Sequence, residues 1–234
     1  MNTKQITRTN QAMLLGITVQ HELKHQQTIT NIIRKLQPTI HKFRYANKLL
    51  PTHVMKQQYY SLAYPHLIGA ISIWGTNNPN STRLQPLIKT QKKLVRLIKN
   101  LPPRTHTRPL MIELKILGIT DLYTLRVCAE MHEYIYPRKT KNRPENHHDY
   151  VSTAQVHEYP TRHSKKLHYY IPNRREKPKR AMQHFTRQYT AIWNEIPEEI
   201  REMQSLGRFK KHLTNYLLEN QERAEELSMR QGHH

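Results

Sequence analysis

The sequence predicts a mainly α-helical fold, made of small helical bundles joined by polar, basic and partly disordered loops. Apolar residues recur every three or four positions over most of the chain, which is the spacing of one helix face. Hydrophobic residues make up only 36% of the 234 residues, so we expect small cores with polar connections. Short strands are expected near residues 14–19 and 167–171, where β-branched or aromatic residues stand together.

The N-terminal part of the chain holds its most apolar segments. Met13–Val19 is a β-branched run that predicts one strand without an obvious partner, and an apolar stripe over 29–43 predicts one or two helices with a break or kink at Pro38. The segment 59–75, YYSLAYPHLIGAISIWG, is apolar on two adjacent stripes. It therefore predicts a mostly buried helix that is kinked or broken at Pro65.

A basic amphipathic helix is predicted over about 82–100, with Ser81 as its N-cap. One face is apolar, and no Asp or Glu occurs between residues 23 and 112 to neutralise the other. A cationic face without countercharge can follow a phosphate backbone and release its counterions. The alternative interpretation is a solvated surface. The basic face, which is the main nucleic-acid-binding candidate, consists of Lys89, Lys92, Lys93, Arg96 and Lys99.

Shorter helices and a basic arm are predicted in the rest of the chain. One helix begins at Thr107 and ends before Gly118, and the next carries an apolar stripe to residue 135. Residues 138–180 are rich in cations and have no hydrophobic period, which is typical of a flexible arm. The charge of the arm predicts additional sequence-independent affinity for nucleic acid. Its RREKPKR motif has two interpretations, a nuclear address and a solvated loop, of which the solvated loop is favoured. The arm's candidate contacts are Arg174, Arg175, Lys179 and Arg180.

The net charge and the single cysteine narrow the class of partner and compartment. The chain carries 38 Lys and Arg against 17 Asp and Glu, a formal net charge of +21. This excess attracts polyanions, so nucleic acid is the expected partner. The longest apolar run, 67–74, is shorter than the roughly 20 residues of a membrane span, so no spanning segment is expected. An anionic membrane surface is the second candidate after nucleic acid, and the prediction is nucleic acid and no membrane. One cysteine and no apolar N-terminal signal favour an intracellular location, nucleus or cytoplasm.

Catalytic and metal-binding signatures are scarce. Asp occurs only at Asp121 and Asp149, too few for the converging carboxylates of two-metal phosphoryl transfer. His21, Glu22 and His25 spell HExxH, but the helical context and a third ligand of a zinc peptidase are missing, so that function is a minor alternative. No metal or other cofactor is expected in this chain. Cys128 falls on an apolar helix stripe and is expected to be a buried, inert thiol.

The order of several short motifs resembles the non-LTR, jockey-like retrotransposon reverse transcriptases. LLGITV with HELKHQQTITNIIRKL resembles the strand and helix that follow the palm domain. YYSLAYPHLIGAISIWG and LQPLIKTQKKLVRLI resemble the next two helices, and RTHTRPLMIELKILGITDLY, YPTR, WNEIP and a final Phe-Lys follow in the same order over about 14–218. The residues to which the resemblance assigns structural roles are Tyr59, Trp74, Gly75, Pro109, Leu110, Trp193 and Phe209.

The resemblance implies the thumb and C-terminal region of an RNA-directed DNA polymerase. The palm domain, with its paired aspartates and Mg²⁺, would lie before residue 1, so this chain is expected to bind RNA or an RNA–DNA duplex without catalysis. The alternative is a structural module that has no activity apart from the palm domain. The implied regions are a disordered 1–12, a palm-edge strand and thumb-like bundle at 13–101, a helical extension at 102–137, the basic arm 138–180, C-terminal helices at 181–220 and a tail at 221–234.

Overall fold

The computed structural model describes residues 11–14, 17–20, 25–137, 150–152, 166–169 and 180–231. Helices predominate among them, which confirms the predicted mainly α class. The chain divides into two compact units, one of residues 1–123 and 220–234, the other of residues 124–219. The disorder expected for residues 1–12 is wrong at Gln11 and Ala12, which belong to a strand (Gln11–Leu14). Residues 1–10 and most of the basic arm lie outside the described part.

A short hairpin opens the first unit. Strand β1 (Gln11–Leu14) pairs antiparallel with β2 (Ile17–Gln20), and Leu14 lies opposite Ile17. The prediction of a single strand without a partner is therefore wrong, because the two halves of the apolar run pair with each other and satisfy their backbone groups locally. The Thr28 hydroxyl donates to the Thr18 carbonyl oxygen at 3.0 Å and fastens the hairpin to the following helix.

The first helix, α1 (Gln26–Ala46), runs unbroken through Pro38, so the alternative of two helices is wrong. A proline inside a helix costs about 3 kcal/mol. The apolar stripe of α1 more than offsets this cost, because each fully buried side chain contributes about 1.5–3 kcal/mol. The buried apolar residues of the stripe are Ile29, Ile32, Leu36, Ile40 and Phe43.

Four helical segments cover residues 52–74, where a helix kinked or broken at Pro65 was predicted over 59–75. They are α2 (Thr52–Gln58), a π-helical turn (Tyr59–Ala63), α3 (Tyr64–Ile68) and α4 (Ile71–Trp74). The irregularity expected at Pro65 is the π-helical turn just before it, in which the Tyr64 N–H donates to the Tyr59 carbonyl oxygen five residues back. Ala70, with φ of 49°, lies in the left-handed region and separates α3 from α4.

Three further helices complete the main body of the first unit. They are α5 (Gln85–Ile98), α6 (Arg108–Glu113) and the start of α7 (Ile119–Ile135). Helix α5 packs against α1. The prediction that Ser81 caps α5 is wrong: the N-cap is Leu84, and Ser81 contributes its carbonyl oxygen, which accepts from the Leu84 and Gln85 N–H groups.

A polar network inside the first unit joins the π-helical turn to α5. Gln91 is buried, and its Nε2 donates to the Tyr59 hydroxyl oxygen at 3.0 Å and to the Leu117 carbonyl oxygen at 2.9 Å. Trp74 is also fully buried, and its Nε1 donates to the Gly69 carbonyl oxygen at 2.7 Å. The predicted structural residues Tyr59 and Trp74 therefore lie in the core, each with its polar atom bonded.

The remaining predicted structural residues of this unit lie at helix ends. Gly75 follows α4, where a Cβ atom would come within 2.6 Å of the Tyr123 ring. Pro109 stands in the first turn of α6, where its missing N–H costs no helical hydrogen bond. Leu110 is the adjacent buried residue of that helix.

The second unit packs helices on a short hairpin. Strand β3 (Tyr150–Ser152) pairs antiparallel with β4 (Leu167–Tyr169). The helices are α7 from residue 124 onward, α8 (Arg180–Glu195), α9 (Glu198–Arg201) and α10 (Leu206–Gln231) as far as residue 219. The Asn194 side chain bonds both the N–H and the carbonyl oxygen of Leu167 at 3.0 Å. Strand β4 agrees with the prediction, whereas β3 corrects the loop expected at residues 150–152.

An aromatic cluster forms the core of the second unit. Trp193 stacks on Phe209 with 5.6 Å between the ring centroids, and Phe209 contacts the buried His132 ring at 4.5 Å. The Nε2 atom of His132 lies 2.6 Å from the Met203 carbonyl oxygen, so this nitrogen carries the proton and donates. The predicted structural residues Trp193 and Phe209 thus lie at the centre of this unit.

Candidate nucleic-acid interface

Helix α5 presents the predicted basic face because its opposite side is firmly buried. Leu87, Leu94 and Ile98 are almost completely removed from solvent. Residues three and four positions apart share a helix face, so the lysines between these apolar positions turn outward.

Three of the predicted cations are exposed and unpaired. Lys89, Lys92 and Lys93 are exposed, and within the described part of the chain they make no hydrogen bond or ion pair. Lys89 and Lys93 are one helical turn apart, or about 6 Å along the axis. Their flexible stems allow each ammonium group to reach a separate phosphate.

The other two predicted cations on this helix bind the protein itself. The Arg96 Nε donates to the Thr105 carbonyl oxygen at 2.7 Å, and the Lys99 ammonium forms an ion pair with Glu113 of α6. Glu113 is the first acid after the acid-free stretch of the sequence. Arg96 and Lys99 therefore fasten the segment between α5 and α6, which leaves three free lysines in what we call the α5 lysine patch: Lys89, Lys92 and Lys93.

Helix α1 carries exposed cations that the sequence analysis did not single out. They lie on the side away from its buried stripe, and no partner for them occurs in the described part of the chain. No Asp or Glu occurs between residues 23 and 112, a stretch that contains α1 as well as α5. This feature of the sequence could have identified the cations of α1 as candidates. The exposed cations of the helix are Arg34, Lys35, Lys42 and Arg44, and the exposed Lys48 follows just after its end.

The cations predicted in the arm are mostly outside the described residues. Arg174, Arg175 and Lys179 belong to that part of the sequence. Arg180 is the first residue of α8, and the structure describes its backbone only. Their role in nucleic-acid binding stays a prediction.

The HExxH motif is represented by its last residue alone, since His21 and Glu22 lie outside the described residues. His25 is buried at the N-cap of α1 with φ of 52°, and burial together with the Arg83 charge lowers the pKa of its imidazole. Among the described residues no group of three or more His, Cys, Asp or Glu is arranged to hold a metal ion. The zinc-peptidase alternative gains no support from these observations.

Two other predictions concern the reactivity of the only cysteine and the lack of a membrane-spanning helix. Cys128 is buried, and desolvation raises the pKa of its thiol to about 12, which keeps it protonated and unreactive. Across the described ranges, no helix is both long and apolar enough to cross a membrane.

Comparison of the chain with protein-family models, with curated proteins and with solved structures finds no match. The resemblance to the non-LTR reverse transcriptases therefore stays a prediction that rests on the order of its motifs.

Proposed function

We propose that this chain binds RNA or an RNA–DNA duplex without catalysis, as the thumb and C-terminal region of a retrotransposon RNA-directed DNA polymerase. The observation that carries the proposal is the α5 lysine patch, three exposed lysines without a carboxylate partner in the described part of the chain. The exposed cations of α1, in the same unit, add to the positive potential. Binding is to the phosphate backbone and independent of sequence.

Counterion release supplies most of the affinity in such a complex. Each phosphate that a lysine neutralises lowers the slope of log K against log salt by about 0.7 for a single strand and about 0.9 for a duplex. The three lysines of the patch alone account for a slope of roughly −2 to −3 on this basis. The four exposed cations of α1, together with Lys48 just after it, make this slope steeper where they meet the same strand.

No chemical step is assigned to this chain. Asp121 is the one described Asp, and its carboxylate accepts a hydrogen bond from the Gln221 side chain instead of converging with a second carboxylate. The polymerase chemistry and its Mg²⁺ belong, under this proposal, to the palm domain of the parent enzyme, which is also the proposed protein partner.

A structural module without independent activity is the second candidate. The observation that favours it is the use of Arg96 and Lys99 for internal contacts, which shows that part of the basic charge serves packing. Under this alternative the α5 lysine patch contacts the palm domain or solvent, and its removal leaves nucleic-acid binding unchanged.

A salt titration with matched charge removal tests the proposal. The full chain and the variants are titrated with fluorescent single-stranded RNA and with an RNA–DNA duplex at several salt concentrations. We expect Lys89→Ala/Lys93→Ala to reduce the slope for RNA by about 1.4, since two phosphate contacts are lost. Arg208→Ala/Lys211→Ala removes two exposed cations from α10 and is the control for net charge.

The proposal requires that Lys89→Ala/Lys93→Ala reduces the salt slope more than Arg208→Ala/Lys211→Ala does. A slope that is equally changed by both pairs means that only net charge matters. Absent or salt-independent binding of both probes contradicts the proposal and favours the structural module.

A further inference from the structure

Three elements of the first unit supply most of the wall of a half-open cavity of about 400 Å³. They are α5, the segment that leads into α6, and the N-terminus of α7. Small-ligand sites in proteins span about 300–1,000 Å³, so this cavity is large enough for one small organic molecule.

Basic groups from two of these elements meet at the cavity. Lys92 comes from α5, and His106 and Arg108 come from the start of α6. Gly118, Ile119 and Thr120, at the N-terminus of α7, also line it. The three basic side chains favour a ligand with a negatively charged group.

The remaining wall is suited to an organic group, not to a bare anion. Ile88 and Met111 supply apolar surface. The Asp121 carboxyl accepts hydrogen bonds from the Gln221 side chain and the Gly118 N–H. Burial raises its pKa, and these two hydrogen bonds and, to a smaller extent, the Arg108 charge act against that rise. A carboxyl beside three basic groups would weaken the binding of inorganic phosphate alone, but it is a good acceptor for hydroxyl or amino groups.

We propose that this cavity binds one nucleotide. Its phosphate meets Lys92 and Arg108, its base or sugar packs on Ile88 and Met111, and its hydroxyl or amino donors face Asp121. The nucleotide is either free or the phosphorylated end of a strand held by the α5 lysine patch, and this second source rests on the proposed function. Lys92 connects the two surfaces because it belongs to both the patch and the cavity.

Calorimetric titration of the full chain tests the ligand class. The probes are adenosine 5′-monophosphate (AMP), uridine 5′-monophosphate, inorganic phosphate and adenosine. We expect at least one of the two nucleotides to bind at one site at least tenfold more tightly than phosphate or adenosine. Equal affinity for phosphate and both nucleotides, or no binding of any probe, overturns the proposal.

Two adjacent lysines provide a matched pair of variants. Lys92 and Lys93 are both exposed on α5, but only Lys92 lines the cavity. We expect Lys92→Ala to weaken binding of the preferred nucleotide at least tenfold and Lys93→Ala to change it less than twofold. Ile88→Trp, which fills the cavity, should abolish the binding, and circular dichroism checks its fold. An equal effect of the two lysine variants on nucleotide binding contradicts the proposal whether or not the Ile88 variant folds.

Short RNAs with and without a terminal phosphate separate the two sources. A tenfold preference for a phosphorylated end, lost in Lys92→Ala and kept in Lys89→Ala, identifies the strand end. Equal affinity for both RNAs together with tight nucleotide binding identifies a free nucleotide. Nucleotide binding without salt-dependent RNA binding refutes only the proposed function, and RNA binding without nucleotide binding refutes only the cavity proposal.

Discussion

The Gly75→Ala substitution would test the packing that follows Trp74. Gly75 has an ordinary extended backbone, with φ of −76° and ψ of 179°, so an alanine meets no conformational strain there. The obstacle is space: an added Cβ would lie 2.5 Å from the Ile71 carbonyl oxygen and 2.6 Å from Cδ2 of Tyr123. Side-chain carbons make favourable contacts at about 3.5–4.0 Å, so both neighbours must shift by about 1 Å.

Neither neighbour can move cheaply. The Ile71 carbonyl is part of α4 and accepts the Gly75 N–H at 2.7 Å, and the Tyr123 ring is buried. Overpacking of a buried site costs about 1–3 kcal/mol, and the two simultaneous contacts place Gly75→Ala in the upper half of that range. Urea unfolding followed by circular dichroism measures the loss, and hydrogen exchange in peptides from 71–98 assigns it to the first unit.

Gly207→Ala is the matched control. Gly207 lies in α10, and no atom lies within 4 Å of the position of its added Cβ. Alanine is favoured over glycine in a helix by about 0.5–1 kcal/mol, so this variant should be slightly more stable than the parent chain. Unchanged or increased stability of Gly75→Ala would refute the inference that Gly75 is required by close packing.

Three further predictions concern single side chains. Gln91→Leu keeps the size of the side chain but leaves two buried partners unbonded, so the free energy of unfolding should fall by about 2–4 kcal/mol in urea titrations. The Cys128 thiol, with its pKa raised from 9.0 to about 12, should resist iodoacetamide in the folded chain at pH 8 and react in urea. Because the folded state favours the neutral thiol, Cys128 contributes stability that is fully present below pH 9 and is lost as the pH rises towards 12. The urea midpoint of the parent chain should therefore fall over this pH range, and that of Cys128→Ala should lack this contribution to the fall. Lys99→Ala should lower the free energy of unfolding in urea titrations by about 1 kcal/mol or less, because the ion pair of Lys99 with Glu113 is partly exposed to solvent.

The helices that follow a single apolar stripe were predictable from the sequence. α1 and α5 each bury one face, so hydrophobic spacing identifies them to within a few residues. The spacing also identified the outward direction of Lys89 and Lys93, because their exposure depends only on which residues of the same helix are buried.

Features that depend on distant partners were not predictable in this way. The π-helical turn before Pro65 redistributes hydrogen bonds within a segment whose apolar pattern suits a regular helix equally well. Arg96 and Lys99 have the same periodic position as the free lysines, and only the path of the chain after α5 brings Thr105 and Glu113 to them. The cavity escaped prediction for a similar reason, since its wall comes from three elements that are separated in sequence.

The buried amide of Gln91 links the core of the first unit to the α5 lysine patch. An apolar side chain at this position would pack in several rotations of the helix, whereas the amide satisfies both Tyr59 and Leu117 in one orientation only. The next two residues, Lys92 and Lys93, follow Gln91 by 100° and 200° around the helix in an ideal α-helix of 3.6 residues per turn. Fixing the amide inward therefore fixes both ammonium groups outward, with Lys92 directed to the cavity that it lines. The polar network thus adds a directional constraint to the burial of the apolar stripe, and both fix which face of α5 carries the lysine patch.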